Sequence, residues 1–169
     1  MNIKNNWLIS LFFIPYLLSN IFLFFTILNQ DARLTKIVEE SSKLITNSNN
    51  EFSFFIITII VIVNLFIFFI TFIFLKVVLL ILGFKKNYDQ DIFLSLLMSA
   101  SLVNLLIIVT AQMITMNRIV LSISTSIIEV LVFLFLFYIN TKDVKATKLL
   151  FYGKLLLLLM NIGSLVFFK

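Results

Sequence analysis

Apolar residues run almost unbroken through five stretches of this chain, at about 7–28, 53–75, 91–113, 119–139 and 149–168, with polar residues gathered between them. Each stretch holds roughly 20 residues or more, enough at ~1.5 Å rise per residue to cross a ~30 Å hydrocarbon core. A segment such as 54–63 (FFIITIIVIV) is apolar at nearly every position, without the period-two alternation of a barrel strand. In lipid the backbone must bond to itself, so these stretches read as helices. The fold class expected is an all-α polytopic membrane protein: one domain over 1–169, a five-transmembrane-helix bundle with a short amphipathic outer helix.

That outer helix falls in the first connecting segment, 29–52. Leu34, Ile37, Val38, Ser41, Leu44 and Ile45 recur there at three- and four-residue spacing, with Lys36, Glu39, Glu40 and Lys43 between them. The pattern predicts an interfacial helix lying against the headgroups or over the bundle mouth, with Asp31 as its N-cap. A polar turn, 46–51 (TNSNNE), leads into the second span. That span ends less cleanly, because apolar character continues past Lys76 to Gly83. The excess length is accommodated by tilt or by a bend along the leaflet, with Lys76 snorkelling to the interface. Segment 83–91 (GFKKNYDQD) is the clearest break: Gly83 can end a helix, and its lysines and tyrosine suit headgroup level.

Composition sharpens this picture. The chain is 62% hydrophobic and 12% charged, with a mean hydropathy of +1.15. A soluble domain with that balance would expose aggregating patches. The sequence contains neither Cys nor His, which excludes disulfides, thiol nucleophiles, imidazole acid–base chemistry and nearly every zinc or haem site. We therefore expect no enzyme, no metal and no cofactor. The net charge of +5 has no nucleic-acid-binding stripe behind it and reads as orientation and attraction to anionic headgroups. The first span follows Lys4 but is too long for a signal-peptide core and lacks a small-x-small cleavage site, so it reads as a retained helix. With the N-terminus inside, eight basic residues fall on inner segments and five on outer ones, which predicts a plasma-membrane protein with a cytoplasmic N-terminus and an external C-terminus.

Against this apolar background the intramembrane polar residues carry most of the information. Each span has one near its centre: Asn20, Asn64, Asn104, Glu129 and Asn161. All lie roughly 12–20 Å from the inner boundary, which predicts one hydrogen-bonded layer inside a closed bundle. Ser101, Asn104 and Gln112 share a face of the third span, as do Ser122, Ser126 and Glu129 on the fourth. An ionised carboxylate at that depth needs a cation or must stay protonated. Lys154 on the neighbouring span is the candidate partner of Glu129, which should then face the interior. Such a lone acid among amides also suits a small ion-coupled carrier, although the chain lacks the broken helix pairs of transporters.

The second half carries 80–86 (LILGFKK), a tyrosine-containing polar stretch after it, a serine-bearing helix at 93–103 (FLSLLMSASLV), a span ending near Tyr138, and 145–148 (KATK) before the last helix. In this layout it resembles the Yip family of polytopic membrane proteins. The proline that the family usually carries early in its third helix is replaced here by the region of Ser99–Ser101. The resemblance implies a non-enzymatic membrane scaffold or accessory protein. Short bacterial relatives accompany ABC exporters, including ones that protect against membrane-active peptides. The function expected is thus an accessory protein that binds a membrane partner, such as an exporter in peptide or toxin resistance. The alternatives are a small permease using Glu129, or an immunity protein acting through the outer helix. The partners expected are membrane lipids and a membrane protein, with no nucleic acid; a homo-oligomer stays open.

Overall fold

A computed structural model of the chain describes residues 3–30, 32–45, 49–84, 86–113 and 118–167. Six helices account for nearly all of them: α1 (Ile3–Gln30), α2 (Ala32–Ile45), α3 (Asn49–Ile81), α4 (Asp89–Met113), α5 (Arg118–Thr141) and α6 (Val144–Phe167). Among the described residues, five helices are long and apolar enough to cross a membrane; α2 is the exception. The protein is an all-α membrane helix bundle.

Helix α3 carries the uninterrupted apolar run expected of the second span. It runs as one helix from Asn49 to Ile81, so the apolar stretch beyond Lys76 continues the same rod and Asn49–Glu51 belong to its first turn rather than to a polar turn. Asp31, the expected cap of α2, and residues 46–48 lie outside the described residues. Gly83 supplies the stop. It takes φ 80°, and the N–H groups of Gly83 and Phe84 donate back to the carbonyls of Leu80 (3.1 Å) and Leu79 (3.2 Å), a Schellman closure. An L-residue is strained at that φ, so Gly83→Ala is expected to cost about 1 kcal/mol. Thermal unfolding in detergent checks this, since a Cβ there meets no neighbour and only the backbone effect remains.

The helices close into a ring in the order α1, α4, α5, α6, α3, with α3 also touching α4 across the middle. Burial ranks them. Half of the α4 span is buried, against 11% of α3, so α4 is the packed core and α3 the outermost wall. Composition explains the difference. Ser95, Ser99 and Ser101 are small enough to let neighbouring helices approach α4, and all three are buried. By contrast α3 presents Phe54, Phe66, Ile62 and Ile67 outward, a surface that only lipid or another apolar partner can cover. Aromatic rings knit the core. Phe93 of α4 meets Phe68 of α3 edge-on at 4.9 Å, and Phe68 packs on Tyr16 of α1 at 5.2 Å. On the other side of α4, Tyr88 packs on Phe137, which with Phe133 is fully enclosed.

Candidate functional site

The intramembrane polar residues sort into separate groups, not one continuous layer. The first joins α1 to α4. The Asn104 amide donates to Ser19 Oγ and to Asn20 Oδ1, both at 3.2 Å, while Asn20 donates to its own helix at the Tyr16 carbonyl (2.8 Å). Ser19, Asn104 and Tyr16 are buried, so these bonds replace water that the site lacks. Pro15 precedes this group inside α1 and removes one backbone donor, a defect that transmembrane helices tolerate when neighbours supply other bonds.

The second group joins α5 to α6. Lys154 Nζ stands 2.7 Å from Glu129 Oε1. The lysine side chain is 6% exposed and the carboxylate 36%, so the cation is enclosed while the acid sits at the edge of the packing. The Lys154 ammonium also lies 5.1 Å from the centre of the Phe133 ring, whose π face adds attraction in a poorly solvated place. The Tyr16 phenol donates to the backbone carbonyl of Asn64 at 3.1 Å.

Asn64 and Asn161 make other contacts. The Asn64 amide donates only to the Ile60 carbonyl of its own helix (2.8 Å). That of Asn161 donates to Ser126 Oγ at 3.1 Å, an exposed contact between α6 and α5. Both azimuth and depth are responsible: the ring order points Asn64 toward the α1–α3 seam, and Asn161 lies seven residues, about 10 Å, beyond Lys154 along α6.

At that seam a groove of 320 Å³ opens on the outside of the bundle, lined by Leu23, Phe24, Ile59 and Val63 with Asn20 and Asn64. Helix α2 touches both α1 and α3. Its Leu34 and Val38 are half-buried and its Ile37 is exposed; Leu44 and Ile45 are helical, but their side chains are outside the described ones. Thr35 Oγ1 donates to the Leu28 carbonyl at 2.8 Å and ties α2 to the end of α1.

Sequence reasoning missed a third cluster, at the end of the bundle that holds the α3–α4 and α5–α6 turns. Asp143 caps α6, accepting from the N–H groups of Lys145 (3.0 Å) and Ala146 (3.1 Å), and also accepts a short hydrogen bond from the Tyr88 hydroxyl. Nearby, Lys76 pairs with Asp89 at 2.6 Å. The signal for the cap was present as aspartate immediately before a helical run; nothing in the sequence paired it with a tyrosine 55 residues earlier.

This clip has a pH signature. Burial, then the bond and charge of Asp143, push the Tyr88 phenol up to about 12. The Tyr88 hydroxyl, then the Ala146 N–H, hold the Asp143 carboxyl below its ordinary range. A raised phenol stabilises the fold below its ordinary value near 10 and loses that contribution as pH rises toward about 12. A lowered carboxyl stabilises above its ordinary value of 3.8 and loses its contribution as pH falls through the lower folded value. Stability should thus be flat between these limits. Tyr88→Phe is expected to cost about 1 kcal/mol, allowing for solvent around the partly exposed Asp143, and to move the acid limb up in pH. Thermal midpoints across pH for both proteins check this.

Among the described residues no group of acids could hold a metal ion. No protein-family model, curated protein or solved structure matches the chain.

Proposed function

We propose that this chain is a non-enzymatic membrane accessory protein that docks a second membrane protein on its α1–α3 face. The observation that carries the reading is the groove between those helices, with the Asn64 side chain at its edge. An amide in hydrocarbon gains from a partner, and Asn64 spends its donor on its own backbone. The surrounding wall is the least buried span of the bundle, so a docked helix would meet apolar surface on either side of that amide. The likeness of residues 70–169 to the Yip family points the same way and suggests an ABC exporter in peptide or toxin resistance as the partner. The N-inside, C-outside orientation in the plasma membrane belongs to the same reading.

A photo-crosslinking residue at Val63 tests the proposal in cells. A single membrane-protein adduct is expected there, and only lipid adducts from the same residue at Leu131, an equally exposed site on α5. Equal adducts at both sites, or no protein adduct at Val63, would overturn it. A second reading, an ion-coupled carrier, is favoured by the intramembrane Glu129–Lys154 pair. Glu129→Gln separates the two: it abolishes solute flux in liposomes for a carrier and leaves the Val63 adduct unchanged for an accessory protein. An immunity protein would instead bind a toxic peptide through α2.

A further inference from the structure

The turn end of the bundle contains a cavity that the docking reading does not use. It measures 250 Å³ and lies between the end of α3 and the start of α4. One side of its lining is apolar, with Leu79, Leu80, Phe84 and Ile92; the other is Lys76, Lys86, Asn87, Tyr88 and Asp89. We propose that this cavity binds the phosphate of an anionic phospholipid, whose acyl chains run down the outer face of α3.

The charge of the lining favours an anion. Asp89 is the lining's acid, and Lys76 neutralises it at 2.6 Å. That leaves Lys86 as the lining's second cation, with the carboxylates that feel its charge, Asp91 and Asp143, outside the lining. Among the described residues no carboxylate lies within ion-pairing distance of it. Its ammonium is held 4.9 Å from the centre of the Tyr88 ring, and Tyr88 is itself fixed by Phe137 and Asp143, so the cation is partly positioned before any ligand arrives. Asn87 uses its side-chain oxygen to accept from the Asp89 N–H at 2.8 Å, which leaves its amide N–H groups as further donors. The wider surroundings agree. Between residues 76 and 148, the turn-end segments carry Lys76, Lys85, Lys86, Lys142, Lys145 and Lys148 against Asp89, Asp91 and Asp143.

The apolar side points to a lipid rather than a free anion. Directly beside the cavity, the last residues of α3 and its closing turn expose Val77, Leu80, Ile81 and Leu82. A soluble phosphate would make no use of that surface. A phospholipid would cover it with its tails while its headgroup lay at the level of the lysines, the depth at which Lys and Tyr normally meet phosphates.

Native mass spectrometry of the purified full chain tests this with dioleoyl-phosphatidylglycerol and dioleoyl-phosphatidylcholine as probes. The expected result is retention of the anionic lipid in preference to the zwitterionic one. Lys86→Glu should reduce that preference about tenfold, the loss of one charge-assisted phosphate contact. Lys148→Glu changes net charge equally on an exposed residue outside the lining and should retain the preference. Lys86→Gln, which removes charge without reversing it, should fall between wild type and Lys86→Glu, with circular dichroism unchanged. Equal binding of the two lipids, or equal losses in Lys86→Glu and Lys148→Glu, would overturn the site. Displacement of the anionic lipid by millimolar inorganic phosphate would also overturn the lipid assignment.

Discussion

Lys154→Met is expected to lower the stability of the bundle by about 3 kcal/mol, the lower end for breaking a buried ion pair because the Glu129 carboxylate is partly exposed. The variant removes the ammonium that stands 2.7 Å from the Glu129 carboxylate at the middle of a span, where an unpaired charge is costly. Methionine keeps most of the lysine stem's packing against Phe133, so the loss reports the charge rather than a cavity. Glu129→Gln alone should cost at least as much, since it leaves the more enclosed charge, the Lys154 ammonium, without its counter-ion. The double variant should recover most of the loss, because replacing a buried pair by neutral side chains is often close to neutral. Unfolding in mixed micelles across the four proteins measures the coupling. Strictly additive losses would mean that the two residues do not interact.

The second large effect is expected at Gly153, where α6 crosses α3. A Cβ at this position would sit 3.1 Å from Leu75 Cδ2 and 3.7 Å from both Phe74 Cε1 and Val78 Cγ1. Leu75 is fully enclosed and has no free direction in which to retreat. Gly153→Ala therefore demands a shift of a few tenths of an ångström, set against the better helix propensity of alanine. Gly153→Leu cannot fit and should force the helices apart at a cost of about 2–3 kcal/mol. Because Lys154 is the next residue, the same displacement should loosen its contact with Glu129. Thermal unfolding of both variants checks the order: alanine near wild type, leucine far below.

The depth of the Glu129–Lys154 pair was legible in the sequence; azimuth was not. Glu129 stands twelve residues before the end of α5 and Lys154 ten after the start of α6, so the shared turn places both about 15–18 Å down adjacent antiparallel helices. That is why their approach can be read from spacing. Counted the same way, Asn20, Asn64, Asn104 and Asn161 stand 15 to 17 residues from their helix ends, about 22–26 Å down and deeper than the ion pair, and at that level Asn104 meets Asn20 while Asn64 and Asn161 make other contacts. A helix that is apolar all round gives no polar face to mark its rotation about its own axis, so packing alone decides which amides meet.

The continuity of α3 was legible, because apolar character runs past Lys76 as far as Gly83. Lys76 marks a charge within the apolar run but does not interrupt the helix, because its stem can extend to Asp89 across the turn. Only Gly83, with its positive φ, ends the rod. The close crossing at Gly153 left no signal, since a lone glycine in a span reads the same whether it faces lipid or a neighbour.

The absence of native cysteine permits a direct test of the five-crossing fold. Single cysteines at Lys36 on α2, at Asn87 in the α3–α4 turn and at Lys142 in the α5–α6 turn can be labelled in intact cells with a membrane-impermeant maleimide. Five crossings with the N-terminus inside require labelling at position 36 alone, with 87 and 142 reacting only after the membrane is opened. Labelling of all three positions from the same side would contradict the fold.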